Sequence, residues 1–302
     1  MNLSKFILFL SNVEGIGDAS IRKLIISNCF NNVDFESTSD ILEWIKKYRV
    51  YFSKKFNIDD LSVDDLIKAK KTRIDLEQKL NNENIKYITW YDNEYPECFK
   101  QMNDFPIIIY YKGNIELLND KKKCAIIGTR KVTDKGAEKC KHLSSLLASH
   151  NFVVVSGLAE GCDTLAHQAC LDVNGKTIAI LGCGIDSIYP KQNKLLADEI
   201  IKKDGLLISE YPVGFKAKPF SLVQRDRLQA SSSNFVIAVQ TDTDGGTMHA
   251  CKAALNKYEK KVYVVSPKEL DYEIATGNLE LINKYFAREL THNSLEELLK
   301  DE

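Results

Sequence analysis

Six short apolar runs dominate the chain from Cys124 onward, and each ends in a glycine or a polar turn before a helical stretch. Continuous runs of valine, isoleucine and leucine are typical of strands buried on both faces, as in a parallel sheet. Strands that alternate with helices form right-handed βαβ units. The pattern therefore predicts a doubly wound, mostly parallel α/β fold. Two more strand-like segments, residues 85–90 and 106–111, would extend its sheet. The six runs are Cys124–Ile127, Phe152–Val155, Thr177–Leu181, Leu206–Ile208, Phe235–Val239 and Val262–Val265.

The residues before this region carry a helical pattern instead. Proline is absent before Pro96, and no glycine lies between Gly17 and Gly113, so residues 18–85 contain no helix breaker. The segment Ser62–Asp65 is typical of a capped helix start. The expected organisation is a small all-helical domain at 1–85, an α/β domain at 86–290 and a C-terminal tail at 291–302.

A glycine turn stands at the start of the helical region, in Val13–Gly17. Such a turn resembles a helix-hairpin-helix, which offers backbone N–H groups to a DNA backbone. A single copy without flanking lysines is better interpreted as a helix–turn–helix packing unit.

Charge and length limit the function classes. The chain has 302 residues, 41 basic against 42 acidic side chains and a net charge of −1. This length suits one large or two modest domains, and the composition excludes a disordered, collagenous or disulfide-stapled chain. The net charge excludes a basic coat over the whole surface. If the protein binds nucleic acid, its cations must be gathered into a local patch.

Targeting and metal-binding patterns are missing from the sequence. No run reaches the ~18 apolar residues of a membrane span, and Phe6–Leu10 is too short for a signal-peptide core. We therefore expect a cytoplasmic protein with no membrane partner. The eight cysteines are scattered without a C-x-x-C pair, so reduced, mostly buried thiols are expected rather than a metal site or disulfides.

Glycines and polar residues follow several of the predicted strands. In an open parallel sheet the ligand binds beyond the carboxyl ends of the strands. Glycines there let backbone N–H groups approach an anion, and helix N-termini add partial positive charge. Each loop by itself could be only a tight turn, but together with two cations they predict a site for a phosphate-bearing ligand. The candidate residues are Gly128, Thr129, Arg130, Lys131, Ser156, Gly157, Gly182, Gly184, Gly245, Gly246 and Thr247.

A second basic element lies at Arg225 and Arg227, preceded by Lys216 and Lys218, while Lys191 follows the third strand. Arginine forks bind phosphate oxygens in bidentate fashion. Taken alone, this segment is equally well interpreted as a surface loop whose arginines pair with neighbouring acids.

Two familiar chemistries fit poorly. A dinucleotide site requires G-x-G-x-x-G after the first strand, whereas here no second glycine follows Gly128 until Gly136. Asp163 and His167 share a helix face, but no nucleophile with a base and an orienting group emerges from the spacing. A helix-stabilising or turn-fixing pair is favoured, His249 has no evident partner, and no cofactor or catalytic residue is expected.

Taken together, the segments resemble the DprA/Smf family (DNA processing protein A), within the superfamily of Smf- and lysine-decarboxylase-like nucleotide-binding Rossmann domains. They follow the family's order from about residue 86 to 287, and the early glycine turn suits its helical N-terminal domain. The matching segments are Tyr95–Pro96, 106–113, Gly128–Lys131, Ser156–Ala159, Gly161–His167, Thr177–Asp186, Ile188–Lys191, Ser209–Pro212, Phe220, Arg225–Arg227, Gly277–Asn278 and Leu281–Ile282.

The resemblance implies an extended Rossmann domain that binds single-stranded DNA as a homodimer, protects incoming strands during transformation and helps to load a RecA-type recombinase. It implies no catalytic turnover. Such a groove follows phosphates rather than reading bases. By motif, the DNA pocket would be lined by Gly128, Thr129, Arg130, Ser156, Gly157, Lys191, Arg225 and Arg227.

Several positions depart from the family pattern. Asp226 replaces the usual asparagine between the two arginines, Gln240 replaces an acid, and Asp244–Thr247 replaces a Ser-Gly-Ser turn. The winged helix of many family C-termini is not expected after the final segment. The DNA-binding hypothesis thus requires a confined positive groove on an acidic body, and Asp226 is the residue that most opposes it.

Two alternatives remain open: a nucleotide sensor or nucleotide-processing enzyme, and a partner-binding scaffold. Gly245–Thr247 is similar to the phosphate turn of nucleoside monophosphate phosphoribohydrolases, but Ala250 stands at the position of their catalytic glutamate.

Overall fold

The computed structural model describes residues 2–31, 37–271 and 275–300. The chain folds into two compact units. The first comprises the chain up to Tyr95 together with Asn103–Tyr110, and the second comprises Pro96–Met102 and the chain from Tyr111 onward. The first unit thus extends past the boundary expected at residue 85.

In the described part of the chain, the α-helices are α1 (Leu3–Leu10), α2 (Asp18–Ile26), α3 (Thr38–Lys47), α4 (Val63–Asn82), α5 (Glu97–Lys100), α6 (Asp134–Ser149), α7 (Cys162–Asp172), α8 (Lys194–Lys202), α9 (Pro219–Gln224), α10 (Asp226–Ser232), α11 (Gly246–Lys257), α12 (Thr276–Tyr285) and α13 (His292–Lys300). The strands are β1 (Lys86–Thr89), β2 (Ile108–Gly113), β3 (Lys123–Ile127), β4 (Val153–Ser156), β5 (Thr177–Leu181), β6 (Leu206–Ser209), β7 (Phe235–Ala238), β8 (Lys261–Val265) and β9 (Arg288–Leu290).

The N-terminal residues are helical, as their unbroken pattern predicts. The start predicted at Ser62 is confirmed, because the Ser62 hydroxyl accepts the Asp65 N–H at 3.2 Å and the Asp65 carboxylate accepts the Ser62 N–H at 2.9 Å. Between α1 and α2 the chain turns at Gly15, whose φ of +87° favours glycine. This arrangement is a helix–turn–helix, with Val13 and Ile16 buried in the turn.

The predicted doubly wound sheet is confirmed. Its strand order is β1-β2-β6-β5-β4-β3-β7-β8-β9, and the six pairs from β6 to β9 are parallel. From β3 the chain proceeds outward through β4, β5 and β6, then returns to place β7 on the other side of β3. The switch point of the sheet therefore lies between β3 and β7, where ligands bind in folds of this class.

Helix capping positions the loop that follows β3. The Thr133 hydroxyl accepts the Gly136 N–H at 3.3 Å and so begins α6, in the manner typical of a threonine at the N-cap. Both α6 and α7 contribute to the hydrophobic core against the sheet. This packing holds the carboxyl ends of β3 and β4 in place.

The C-terminal residues differ from the expected tail. They form α13, whose Leu298 is buried in the same core cluster as Cys124 and Val154. The apolar spacing of Leu295, Leu298 and Leu299 explains the packing, because it places a stripe on one helix face. Residues 301 and 302 lie outside the described part.

The cysteine side chains agree with the expectation of free, mostly buried thiols. All eight cysteines are free, and all are buried except the half-buried Cys98. Burial raises the pKa of the Cys183 thiol to about 11 and that of Cys251 to about 12. No helix in the described ranges has both the length and the apolar character needed to cross a membrane.

Candidate functional site

An open cleft of about 630 Å³ lies at the carboxyl ends of the central strands, within the second unit. Its walls come from the loop after β3, the loop after β7 and the segment that contains α9 and α10. A smaller pocket of about 60 Å³ shares Arg130, Tyr189 and Arg225 with it. The cleft thus occupies the switch point of the sheet.

Most of the predicted site residues meet at this cleft, because parallel strands end at the same edge. Gly182 lies in the adjoining pocket. The cleft itself is lined by Gly128, Thr129, Arg130, Lys131, Arg225, Gly245, Gly246 and Thr247.

Five predicted residues lie outside the lining of both pockets: Ser156, Gly157, Gly184, Lys191 and Arg227. The Ser156 hydroxyl is buried and donates to the Ile126 carbonyl at 2.7 Å, so it ties β4 to β3. Gly184 packs against the Pro212 carbonyl. Lys191 is exposed at the start of a short 3₁₀ turn, directly after Pro190, which lines the smaller pocket.

The two arginines of the second basic element are buried rather than exposed. Arg227 donates from Nη1 and Nη2 to the Glu210 carboxylate, both at 2.6 Å, so its charge is already compensated. The alternative interpretation predicted arginines that pair with acids in a surface loop. The ion pairs are confirmed, but both arginines are buried, so the surface loop is wrong. Lys216 also lies outside the cleft and donates to the Ser187 hydroxyl at 3.4 Å, whereas Lys218 lines it.

Arg225 is the centre of a buried charge cluster. Its Nε donates to Asp226 at 2.7 Å, its Nη2 to Asp163 at 3.1 Å and its Nη1 to the Ile180 carbonyl at 2.6 Å. Burial alone would lower the pKa of the guanidinium, but Asp226 and Asp163 outweigh it and raise that pKa. Arg225 is therefore a structural cation whose fork is occupied by the protein itself.

Gly157 is required by this cluster and not by a ligand. A Cβ at this position would overlap the guanidinium of Arg225. The Gly157 carbonyl lies 2.6 Å from Nε2 of His167, whose Nδ1 lies 2.7 Å from the Thr177 hydroxyl. Burial lowers the pKa of this imidazole. Asp163 and His167 each fix the β4–α7 turn through separate partners, which refines the predicted turn-fixing pair.

Asp226 places a carboxyl group with a raised pKa in the wall of the cleft. Burial raises the pKa of its carboxyl to about 6, Arg225 opposes that rise, Asp163 adds to it and Arg130 opposes it. The carboxyl is therefore close to titration at neutral pH. It reduces the positive potential of the cleft where the family pattern has a neutral amide.

Besides the exposed Lys218, the cleft lining offers a ligand the cations Arg130 and Lys131. Both are exposed, and neither side chain forms a hydrogen bond or an ion pair with the described residues. The N-cap residue of α11 is Gly245, which has no side chain to accept the first N–H groups of the helix. No atom lies within 4 Å of a Cβ placed at Gly246, so this helix N-terminus is open to a ligand. Cations and open backbone N–H groups together suit an anionic ligand.

Gln240 is buried and holds the loop between β3 and α6 through hydrogen bonds. Its Oε1 accepts the Thr133 N–H at 3.1 Å and the Thr133 hydroxyl at 3.3 Å, and its carbonyl accepts the Thr129 N–H at 2.8 Å. The departure from an acid at this position therefore supports the β3–α6 loop instead of facing the ligand.

Some lining residues are missed by the sequence prediction. Tyr189 is 47% exposed and joins both pockets, while Gln229 and Asp242 line the cleft. In the segment that contains Tyr189, the charge of Lys191 is the more conspicuous feature of the sequence. An aromatic residue in the loop that follows β5 is the signal that could have identified Tyr189. Nothing local distinguishes Gln229 from a core residue of α10.

These features define a doubly wound α/β protein with a cationic cleft at the switch point of its sheet. Residues 86–301 match the family described as DNA recombination-mediator protein A. The chain belongs to this family, which includes the DprA and Smf proteins.

Curated relatives agree with this assignment. The chain is 35% identical over 215 residues to Protein Smf of Synechocystis sp., which covers 70% of this chain and 53% of that protein. It is 36% identical over 180 residues to the DNA processing protein DprA of Streptococcus pneumoniae, covering 60% of this chain and 62% of that protein. The match thus spans between about half and five eighths of these relatives.

Solved structures are similar over more of the chain. The X-ray structure of DprA from Streptococcus pneumoniae has a TM-score of 0.76 at 26% identity and covers 98% of this chain and 97% of that one. DNA processing protein A from Helicobacter pylori, solved to describe its single-stranded DNA binding mode, has a TM-score of 0.64 at 32% identity. It covers 72% of this chain and 97% of that one.

Proposed function

We propose that this chain binds single-stranded DNA in the cleft and acts, without catalysis, as a mediator that protects incoming strands and assists a RecA-type recombinase. The observation that carries the proposal is the pair of exposed, unpaired cations Arg130 and Lys131 at the cleft beside the open N-terminus of α11. Such a surface binds successive phosphates without reading bases.

Exposed aromatic groups near the cleft support a single strand rather than a duplex. Tyr189 is 47% exposed in the lining, and Phe220, next to the lining residue Pro219, is 56% exposed. The ammonium of Lys218 lies 5.3 Å from the Phe215 ring and 6.0 Å from the Phe220 ring. Unpaired bases stack on such rings, whereas the bases of a duplex are already stacked.

The cleft residues support binding rather than turnover. Asp163 and Asp226 are engaged with Arg225, and Ala250 lines the cleft where related hydrolases carry glutamate. The relative from Helicobacter pylori binds single-stranded DNA, which supports the same ligand here. Homodimer formation, the RecA-type partner and a cytoplasmic location are part of the proposal by family resemblance.

We expect Arg130→Ala to weaken binding of dT, dC and dA oligomers by a similar factor, because a lost phosphate contact carries no sequence information. The slope of log affinity against log salt should fall in magnitude by about 0.7, the value for one contact to a single strand. Fluorescence polarisation across a sodium chloride series measures both quantities.

The matched control is Arg288→Ala, which removes an exposed arginine from β9, outside the cleft lining. Its affinity and salt slope should equal those of the unmodified protein. Salt-independent binding, or an Arg130→Ala protein that binds as tightly as the control, would contradict a phosphate-tracking cleft.

A further inference from the structure

A dense local concentration of positive charge lies outside the cleft. Residues 46–55, the basic segment, contain five cations and no acid, in a chain whose net charge is −1. In the cleft lining, four cations stand against three carboxylates. The cations of the basic segment are Lys46, Lys47, Arg49, Lys54 and Lys55, and the charged cleft residues are Arg130, Lys131, Lys218, Arg225, Asp163, Asp226 and Asp242.

Aromatic packing holds the basic segment on the helices of the first unit. The segment runs from the end of α3 through the 3₁₀ turn Arg49–Tyr51, and Phe52 within it is buried. The Phe56 ring lies 5.9 Å from the Phe52 ring and covers Gly15, where a Cβ would overlap it. The basic segment is thus fixed beside the α1–α2 turn, and it supplies the neighbouring lysines that this turn lacks in sequence.

The cations themselves point to solvent. Lys46, Lys54 and Lys55 are exposed, and their ammonium groups form no ion pair or hydrogen bond within the described ranges. Arg49 pairs with Asp59 at 3.2 Å, but both side chains are more than half exposed. An exposed pair of this kind contributes little to stability. Lys46 and Lys47 lie in the last turn of α3, where cations complement the helix dipole, but that effect contributes little at an exposed position. Most of this charge therefore has little structural use.

Apolar groups are left at the surface among these cations. Val50 is 78% exposed, and Tyr48 and Tyr51 are only half-buried. The Lys47 ammonium lies 5.4 Å from the Tyr48 ring. A face that served only for solubility would be polar throughout, whereas ammonium groups interleaved with aromatic rings complement phosphates and bases at the same time.

We propose that the basic segment is a second nucleic-acid-binding surface, which contacts the phosphodiester backbone of single-stranded DNA independently of the cleft. This second proposal does not rest on the proposed function of the cleft, because the basic segment consists of other residues and belongs to the first compact unit. Charge complementarity selects a polyanion, and the exposed rings favour a strand with unpaired bases over an acidic protein.

The test uses the full chain with Lys46→Glu, Lys54→Glu and Lys55→Glu combined, and a 40-nucleotide dT strand as the probe. Three lost contacts should reduce the magnitude of the salt slope by about 2 and weaken binding at low salt by about tenfold or more. The matched control combines Lys68→Glu, Lys70→Glu and Lys71→Glu on α4, which make the same change in net charge at three exposed positions.

The control variant should keep the salt slope of the unmodified protein. A basic-segment variant that binds like this control overturns the proposal, whatever Arg130→Ala does to the cleft. Thermal unfolding verifies that each variant is folded. If the glutamate variant does not fold, the combined Lys46→Gln, Lys54→Gln and Lys55→Gln variant removes the same three contacts, and an unchanged slope there overturns the proposal as well.

Discussion

Arg225→Ala is expected to lower the free energy of unfolding by about 3–5 kcal/mol at pH 7.5, because it leaves the buried carboxylates of Asp163 and Asp226 without their cation. Denaturant unfolding measures the loss. The loss should be smaller at pH 5, where protonation of Asp226, whose pKa burial has raised to about 6, removes one of the two buried charges.

Arg49→Ala is the matched control for this experiment. Its ion pair with Asp59 has a length of 3.2 Å against 3.1 Å for Arg225 and Asp163, but its side chain is 59% exposed against 7%. Arg49 makes this one exposed pair, whereas Arg225 is buried and also pairs with Asp226. We therefore expect no measurable change in unfolding for Arg49→Ala. Equal losses from both variants would show that Arg225 is not a buried structural cation.

Asp226→Asn is expected to tighten single-stranded DNA binding by about five- to tenfold at low salt and pH 7.5. The substitution removes a negative charge that interacts with Arg130, at an energy of about 1 kcal/mol or slightly more, because Asp226 is largely buried while Arg130 is exposed. The side-chain oxygen of asparagine can still accept from Nε of Arg225, so the cluster should remain intact. Fluorescence polarisation with a dT oligomer measures the gain.

The same substitution should remove a pH dependence. In the unmodified protein, affinity should rise as pH falls from 7.5 to 5, because the Asp226 carboxyl gains a proton near its pKa of about 6. The free energy of unfolding should rise over the same interval, since the folded state binds a proton that the unfolded state, with its lower carboxyl pKa, does not.

Asp198→Asn, which neutralises an exposed acid on α8, should change neither the affinity nor its pH dependence. If Asp226→Asn and Asp198→Asn behave alike, Asp226 does not set the potential of the cleft.

The strands and helix starts could be predicted because their causes are local. The runs Cys124–Ile127 in β3, Val153–Val155 in β4 and Phe235–Ala238 in β7 are continuously apolar. The hydroxyls of the capping residues Ser62 and Thr133 accept N–H groups only three residues further along the chain. The sequence also allowed the prediction that Gly128–Lys131 and Gly245–Thr247 line one site, because the loops after parallel strands lie at the same edge of the sheet.

The buried state of Arg225 could not be predicted, because two of its three partners are distant in sequence. Asp163 lies 62 residues away and the Ile180 carbonyl 45 residues away. In sequence, an arginine in this segment suits a phosphate as well as a carboxylate, and only the fold decides between them. Arg227 is similar, since the Glu210 that neutralises it belongs to another loop.

The space that Gly157 leaves for Arg225 has a consequence for how such a chain can diverge. A side chain at position 157 requires a shorter residue at 225, and a shorter residue at 225 leaves two carboxylates that must then become neutral. Positions 157, 163 and 225 should therefore be inherited as a set, in which position 226 can hold the acid or its amide. Arg130 and Lys131, which touch none of these residues through hydrogen bonds or ion pairs, are free to vary with the ligand.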